Sequence, residues 1–131
     1  MRIVVDTNVV VSSLWGGPPK KVMKACQAGK AKLILGPPIL KEYFAVLSRF
    51  EVSDEDMDFF QALFTDLNRV EIFSWTTHLR VIKEDPSDDK FLECALSGQA
   101  NFIVSGDKHL LQLGSFRGIS IISPRRFLSE I

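Results

Sequence analysis

Three features of the sequence predict an α/β fold, a three-layer α/β/α sandwich around a mainly parallel central sheet. Short β-branched and aliphatic runs alternate with longer segments of helical periodicity. Gly and Pro punctuate the changes, notably at Gly16-Gly17-Pro18-Pro19, Gly36-Pro37-Pro38 and Gly98. With 46% hydrophobic residues, ten of them Phe, the chain has the material for a packed core. Strands alternating with helices favour a parallel sheet with helices on its faces.

The elements follow in order. The β-branched run at 2–5 reads as a buried strand ending at Asp6. Residues 9–14 turn into a short helix that the Gly-Gly-Pro-Pro stretch breaks, and a helix over 19–28 follows, stopped by Gly29. A second strand spans 32–35. Pro37-Pro38 opens a helix with Leu40, Tyr43, Phe44 and Leu47 as its apolar residues, because proline loses no hydrogen bond in a first helical turn. Ser53 caps the next helix, whose buried stripe is Met57, Phe60, Leu63, Phe64 and Leu67. A weaker strand covers 70–73. Asp85-Pro86 starts a helix with Phe91, Leu92, Ala95 and Leu96 on one face, ending at Gly98. A strand at 102–105, a short helix at 107–113, a strand at 119–122 and a helical turn at 124–128 complete the chain.

Length and charge narrow the function. The 131 residues suit one domain, 1–131. Sixteen basic and sixteen acidic side chains balance to zero, unlike a domain that holds nucleic acid through bulk charge. Two cysteines, Cys26 and Cys94, are too few for a disulfide scaffold and are expected to be small buried residues. No apolar run approaches a membrane span, and the opening residues lack a signal-peptide pattern, so a soluble cytoplasmic protein is expected.

The carboxylates carry the chemistry. Asp6 follows the first strand, Asp107 follows the strand at 102–105, Asp88 and Asp89 lie in a first helical turn, and Glu42 lies near the start of another helix. In a parallel sheet, ligands bind beyond the carboxyl ends of the strands, and all these positions can reach that edge. Asp6 and Asp107 are equally suited to capping the helices that follow them, and Asp88 to a helix-start role. Two carboxylates about 6 Å apart at an effective dielectric near 20 repel by roughly 3 kcal/mol. Such a cluster therefore takes up protons or a cation. With oxygen ligands and no Cys/His set, the cation is hard, Mg²⁺ or Mn²⁺, and phosphodiester hydrolysis is its natural chemistry.

On these residues the chain resembles the PIN domain family. The resemblance rests on Asp6-Thr7-Asn8-Val9 after the first strand, Glu42, Asp89-Lys90-Phe91-Leu92 and Ser105-Gly106-Asp107, in that order. The run Glu84-Asp85-Pro86-Ser87-Asp88-Asp89 and the later Ser105-Gly106-Asp107-Lys108-His109-Leu110-Leu111 resemble the single-domain subgroup similar to VapC-type toxins. The resemblance implies a Mg²⁺- or Mn²⁺-dependent ribonuclease, a cognate antitoxin and a homodimer. It assigns Asp6, Glu42, Asp89 and Asp107 as the catalytic quartet, with Asp6, Asp89 and Asp107 on the metal. Asn8 is expected to orient Asp6 or a water, and Ser105 to hydrogen-bond a metal ligand. Asp89 is preferred to Asp88 because it stands two residues before the apolar pair Phe91-Leu92.

Two other classes compete. A catalytically weak scaffold of the same fold would bind RNA or protein, but the intact acidic quartet argues against it. A phosphate-accepting signalling domain also carries aspartates at a sheet edge, but the Asp6-Thr7-Asn8 opening does not suit it. Lys20, Lys21, Lys24, Lys30 and Lys32 are either a phosphate-tracking patch or, more simply, a solvated helix face. Trp15 and Trp75 can stack on bases, although packing is the simpler role. Neither His78 nor His109 is expected to act as an acid. Surplus Phe and Leu beyond the core would make a dimer seam or a groove for an antitoxin helix.

Overall fold

The computed structural model describes residues 1–82 and 88–131. Its elements are β1 (Arg2–Val5), α1 (Thr7–Ser12), a 3-10 turn (Ser13–Trp15), α2 (Gly17–Gln27), β2 (Lys32–Leu35), α3 (Pro37–Leu47) and α4 (Asp54–Thr65). They continue through β3 (Val70–Ile72), α5 (Asp89–Ser97), β4 (Phe102–Val104), α6 (Lys108–Leu113), β5 (Ser115–Phe116), β6 (Ile119–Ile122) and α7 (Pro124–Glu130). The strands form one sheet in the order β3-β2-β1-β4-β6-β5. All pairings are parallel except β5 with β6.

Every strand expected from the sequence is present. β5 is additional: two residues, with Phe116 opposite Ile119, are too short to show a period. The expected helix start at Asp85-Pro86 lies outside the described residues; α5 spans Asp89–Ser97, with Asp88 at its N-cap.

Successive residues of a strand face opposite sides of its sheet. Ile3, Val4 and Val5 are all 0% exposed, so both faces of β1 are covered and the sheet is the middle of three layers. Leu33, Ile34 and Leu35 repeat this in β2. One contiguous core runs from these strands to Tyr43, Phe64, Phe91 and Phe127. Burying side chains of this size stabilises the fold by about 1.5–3 kcal/mol each.

The strand order sets the position of the site. From β1 the chain proceeds to β2 and β3 on one side, while β4 lies on the other. Crossovers leaving β1 and β4 therefore diverge to opposite sides, opening a crevice at the carboxyl edge between them. Asp6, immediately after β1, donates its N–H to the Val104 carbonyl at 3.1 Å. The helix α3 is tied to the same place, because the buried Tyr43 hydroxyl donates to the Val5 carbonyl. That bond brings the neighbouring Glu42 to the end of β1.

The segment after β3 is held from α5. Glu93 accepts from Trp75 Nε1 at 3.1 Å and from the Leu79 N–H at 2.8 Å. Asp89, one turn earlier on the helix, accepts the N–H groups of Val81 and Ile82. Both carboxylates are buried, at 4% and 8% exposure for Asp89 and Glu93. They satisfy amide donors of a segment with no strand partner, which buried backbone requires.

Candidate active site

A cleft of about 200 Å³ opens at the carboxyl edge of the sheet and gathers Asp6, Glu42, Asp88 and Asp107. Thr7, Asn8 and Arg49 share its wall. Four acids from four separate segments thus line one cleft. Among the described residues no three of these groups converge as a ready-made ligand set for a metal ion. They stand around the cleft rather than at one point.

Asp6 caps α1 and lines the cleft with the same side chain. Its Oδ1 accepts the Val9 N–H at 3.0 Å, and its Oδ2 accepts the Ser105 hydroxyl. Burial raises its pKa from the ordinary 3.8 to about 6, against the lowering effect of the Ser105 and Val9 hydrogen bonds. The nearby Asp107 raises it further. Ser105, 0% exposed, also accepts the Asp107 N–H at 2.9 Å, so one hydroxyl sets the spacing of two acids. Asp107 caps α6 through His109 N–H at 2.8 Å and Leu110 N–H at 3.2 Å. Capping and site roles coexist because a carboxylate has lone pairs for both.

Glu42 is fixed from two sides. Oε2 accepts the Thr7 hydroxyl, and Oε1 pairs with Lys90 Nζ at 2.6 Å. Lys90 comes from α5, so the pair ties α3 to α5 beside the cleft. Asn8 is exposed at the rim of the cleft.

The structure places Asp89 away from the cleft, whereas the sequence led to the expectation of a metal ligand. Asp88, not Asp89, lines the cleft, and Asp89 is turned to the Val81 and Ile82 amides. Consecutive helical residues differ by about 100° in direction, so two adjacent acids can enter different surroundings, as Asp88 and Asp89 do. The offset from Phe91-Leu92 does not report that rotation.

Sequence reasoning also missed Arg49 and Thr7. Arg49 lies just past the end of α3 and its cap Ser48, so helical spacing from Glu42 does not reach it and no local motif signals it. The lysine-rich stretch lies elsewhere. Lys30 and Lys32 flank the start of β2, at the amino edge of the sheet, while Lys21, Lys24 and Lys30 line a separate surface groove with Leu128 and Ile131. Among the described residues, Arg49 and Lys90 are the cations at the cleft and its border. His109 contributes a backbone donor, and Cys26 and Cys94 are fully buried. Trp15, by contrast, is 68% exposed and packs edge-on against Phe50 at 5.4 Å.

The donor set suits a hard cation. Every acid at the cleft offers oxygen, and no cysteine lines it. Asp6, whose charge is disfavoured by burial and by Asp107, is a carboxylate that a cation would stabilise.

Among curated proteins, none matches the chain. Among solved structures it is similar to one described as the crystal structure of VapBC2 from Rickettsia felis bound to a DNA fragment from their promoter. The match has 10% sequence identity and a TM-score of 0.59, and covers 94% of this chain and 98% of that chain. At that identity the likeness shows a shared fold, in agreement with the three layers and the strand order. The model of the PIN domain matches residues 2–109, which take in β1, the acid cleft and the cap of α6, and the chain belongs to the PIN domain family.

Proposed function

We propose that the chain is a Mg²⁺- or Mn²⁺-dependent ribonuclease with the acid cleft as its active site, acting in the cytoplasm as the toxin of a toxin–antitoxin pair. The observation that carries this reading is the meeting of Asp6, Glu42, Asp88 and Asp107 around one 200 Å³ cleft with Arg49 on its wall. Membership of the PIN domain family supports nuclease chemistry. The similar structure is of a VapBC assembly, which supports an antitoxin partner.

Asp6, Asp88 and Asp107 would hold the ion, with Glu42 at the border of the set. The ion supplies charge neutralisation of the scissile phosphate and activation of water. The chain's own residues do the positioning. Ser105 holds Asp6 and Asp107 in register through its two hydrogen bonds. Thr7 and Lys90 fix the Glu42 carboxylate. Arg49 presents a guanidinium suited to a non-bridging phosphate oxygen. In the reaction the water oxygen bonds to phosphorus and gives up one proton, the bond from phosphorus to one ribose oxygen breaks, and that leaving oxygen takes up a proton. Asp89 acts on the site only through the backbone it holds. The exposed Trp15–Phe50 pair is the apolar surface for a second copy of the chain or for the antitoxin.

The test is cleavage of single-stranded RNA with Mg²⁺ or Mn²⁺, with and without chelator. Cleavage that needs the ion and disappears in Asp107→Asn supports the reading. Chelator-resistant cleavage overturns the metal-dependent mechanism, and wild-type protein inert on RNA but active in binding it overturns the enzyme in favour of a scaffold.

A further inference from the structure

We infer that a second cavity, beside the acid cleft, seats an unpaired base of the RNA strand against Trp75. The inference rests on the ribonuclease reading for its class of ligand and deepens it by naming a subsite. The cavity holds about 460 Å³ and is lined by Pro37, Pro38, Trp75, His78, Lys90 and Glu93.

Three observations carry it. The first is continuity. Lys90 lines this cavity and binds Glu42 at 2.6 Å, and Glu42 lines the acid cleft, so the ion pair is the wall between the two. On α5 the chain passes from Asp88 at the cleft to Glu93 at the cavity, about 7.5 Å along a helix axis, a reach comparable to one nucleotide. A strand with its phosphate at the acids would lay a neighbouring nucleotide over this cavity.

The second is a rigid aromatic. Trp75 Nε1 donates to the buried Glu93 at 3.1 Å, and Phe73 packs at 5.8 Å between ring centroids. The backbone at Gly36 leaves the room that the indole fills. A Cβ there would meet the Trp75 ring and stand 2.6 Å from the Phe73 carbonyl oxygen. A half-buried indole fixed on three sides is a stacking platform that loses little freedom on binding.

The third is the polar rim. Glu93 keeps lone pairs beyond the two hydrogen bonds it accepts, His78 is exposed, and Lys90 supplies positive charge. A base offers a flat apolar face and a polar edge, and its linking phosphate is anionic. The cavity matches all three, whereas an aliphatic side chain of a protein partner would leave the rim unused.

The experiment is an abasic scan. A short single-stranded RNA with one known cleavage position carries an abasic ribonucleotide at each flanking position in turn. The expected result is one position at which loss of the base raises KM about 5- to 100-fold with kcat little changed. In Trp75→Leu the same replacement should have no further effect, because the partner of the base is gone. Trp75→Phe, which keeps a ring, should restore most of the position dependence. A flat scan, or an abasic effect equally large in Trp75→Leu, overturns the subsite while cleavage itself leaves the ribonuclease reading standing. If wild-type protein cleaves no RNA, that reading fails first. Quenching of Trp75 by the intact oligonucleotide in a Trp15→Phe background, absent with the abasic one, then decides the subsite alone.

Discussion

Asp88 and Asp89 are adjacent in the chain and enter different surroundings: Asp88 lines the acid cleft, while Asp89 accepts the Ile82 N–H at 2.9 Å and shares the Val81 N–H between its two oxygens. The pair separates chemistry from positioning on a single helical turn. Asp88→Asn is expected to abolish most RNA cleavage and leave the melting temperature near wild type. Asp89→Asn keeps one acceptor oxygen but turns an amide toward backbone donors, at a cost of about 1–3 kcal/mol. Cleavage rates and thermal melts of the two variants, measured side by side, check the assignment, and the reverse pattern would refute it.

Asp6 makes stability depend on pH. Its folded pKa is raised from 3.8 to about 6, chiefly by burial. The folded state therefore binds more protons than the unfolded state between these values, and stability falls as pH rises through that window. The favourable contribution is fully present below about pH 4 and lost above about pH 6, a change of roughly 3 kcal/mol. Metal-free Asp6→Asn should gain on wild type in melts from pH 4 to pH 7. Mn²⁺ at pH 7 should raise the melting temperature of wild type and not of the variant. A pH-independent difference between the two proteins would remove Asp6 as the source.

Arg49 lies on the cleft wall and makes no ion pair among the described residues. Its charge is therefore available to substrate. Arg49→Gln should raise KM for RNA about ten-fold, the loss of one charge-assisted hydrogen bond, with little change in stability. Mn²⁺ titration by calorimetry should show unchanged metal binding. A fall in kcat with KM unchanged would place Arg49 on the reacting atoms instead.

Trp15 exposes most of its ring beside Phe50. As the surface for a second copy, it should hold a dimer that sedimentation detects at micromolar concentration. Trp15→Ser should shift that protein to monomer without lowering its melting temperature, because the ring buries little within its own chain. A wild-type monomer throughout would leave the patch to the antitoxin.

The fold was legible because its causes are local and repeated. Buried strands read as β-branched runs, helices as 3.6-residue periods, and the breaks as Gly and Pro. Asp6 and Asp107 were legible for a related reason: Asp6 directly follows β1, and Asp107 follows β4 after Ser105 and Gly106, so parallel topology brings both to the carboxyl edge. What local sequence leaves undetermined is rotation about a helix axis and the approach of distant segments. Whether Asp88 or Asp89 faces the cleft depends on how Phe91, Leu92 and Ala95 pack α5 onto the sheet and on which backbone amides Asp89 meets. The Lys90–Glu42 pair spans 48 positions, and the bond from Trp75 to Glu93 exists only because residues near 75 fold back over α5. Periodicity specifies which face of an element is apolar, and only close packing of the completed core decides what the remaining polar groups touch.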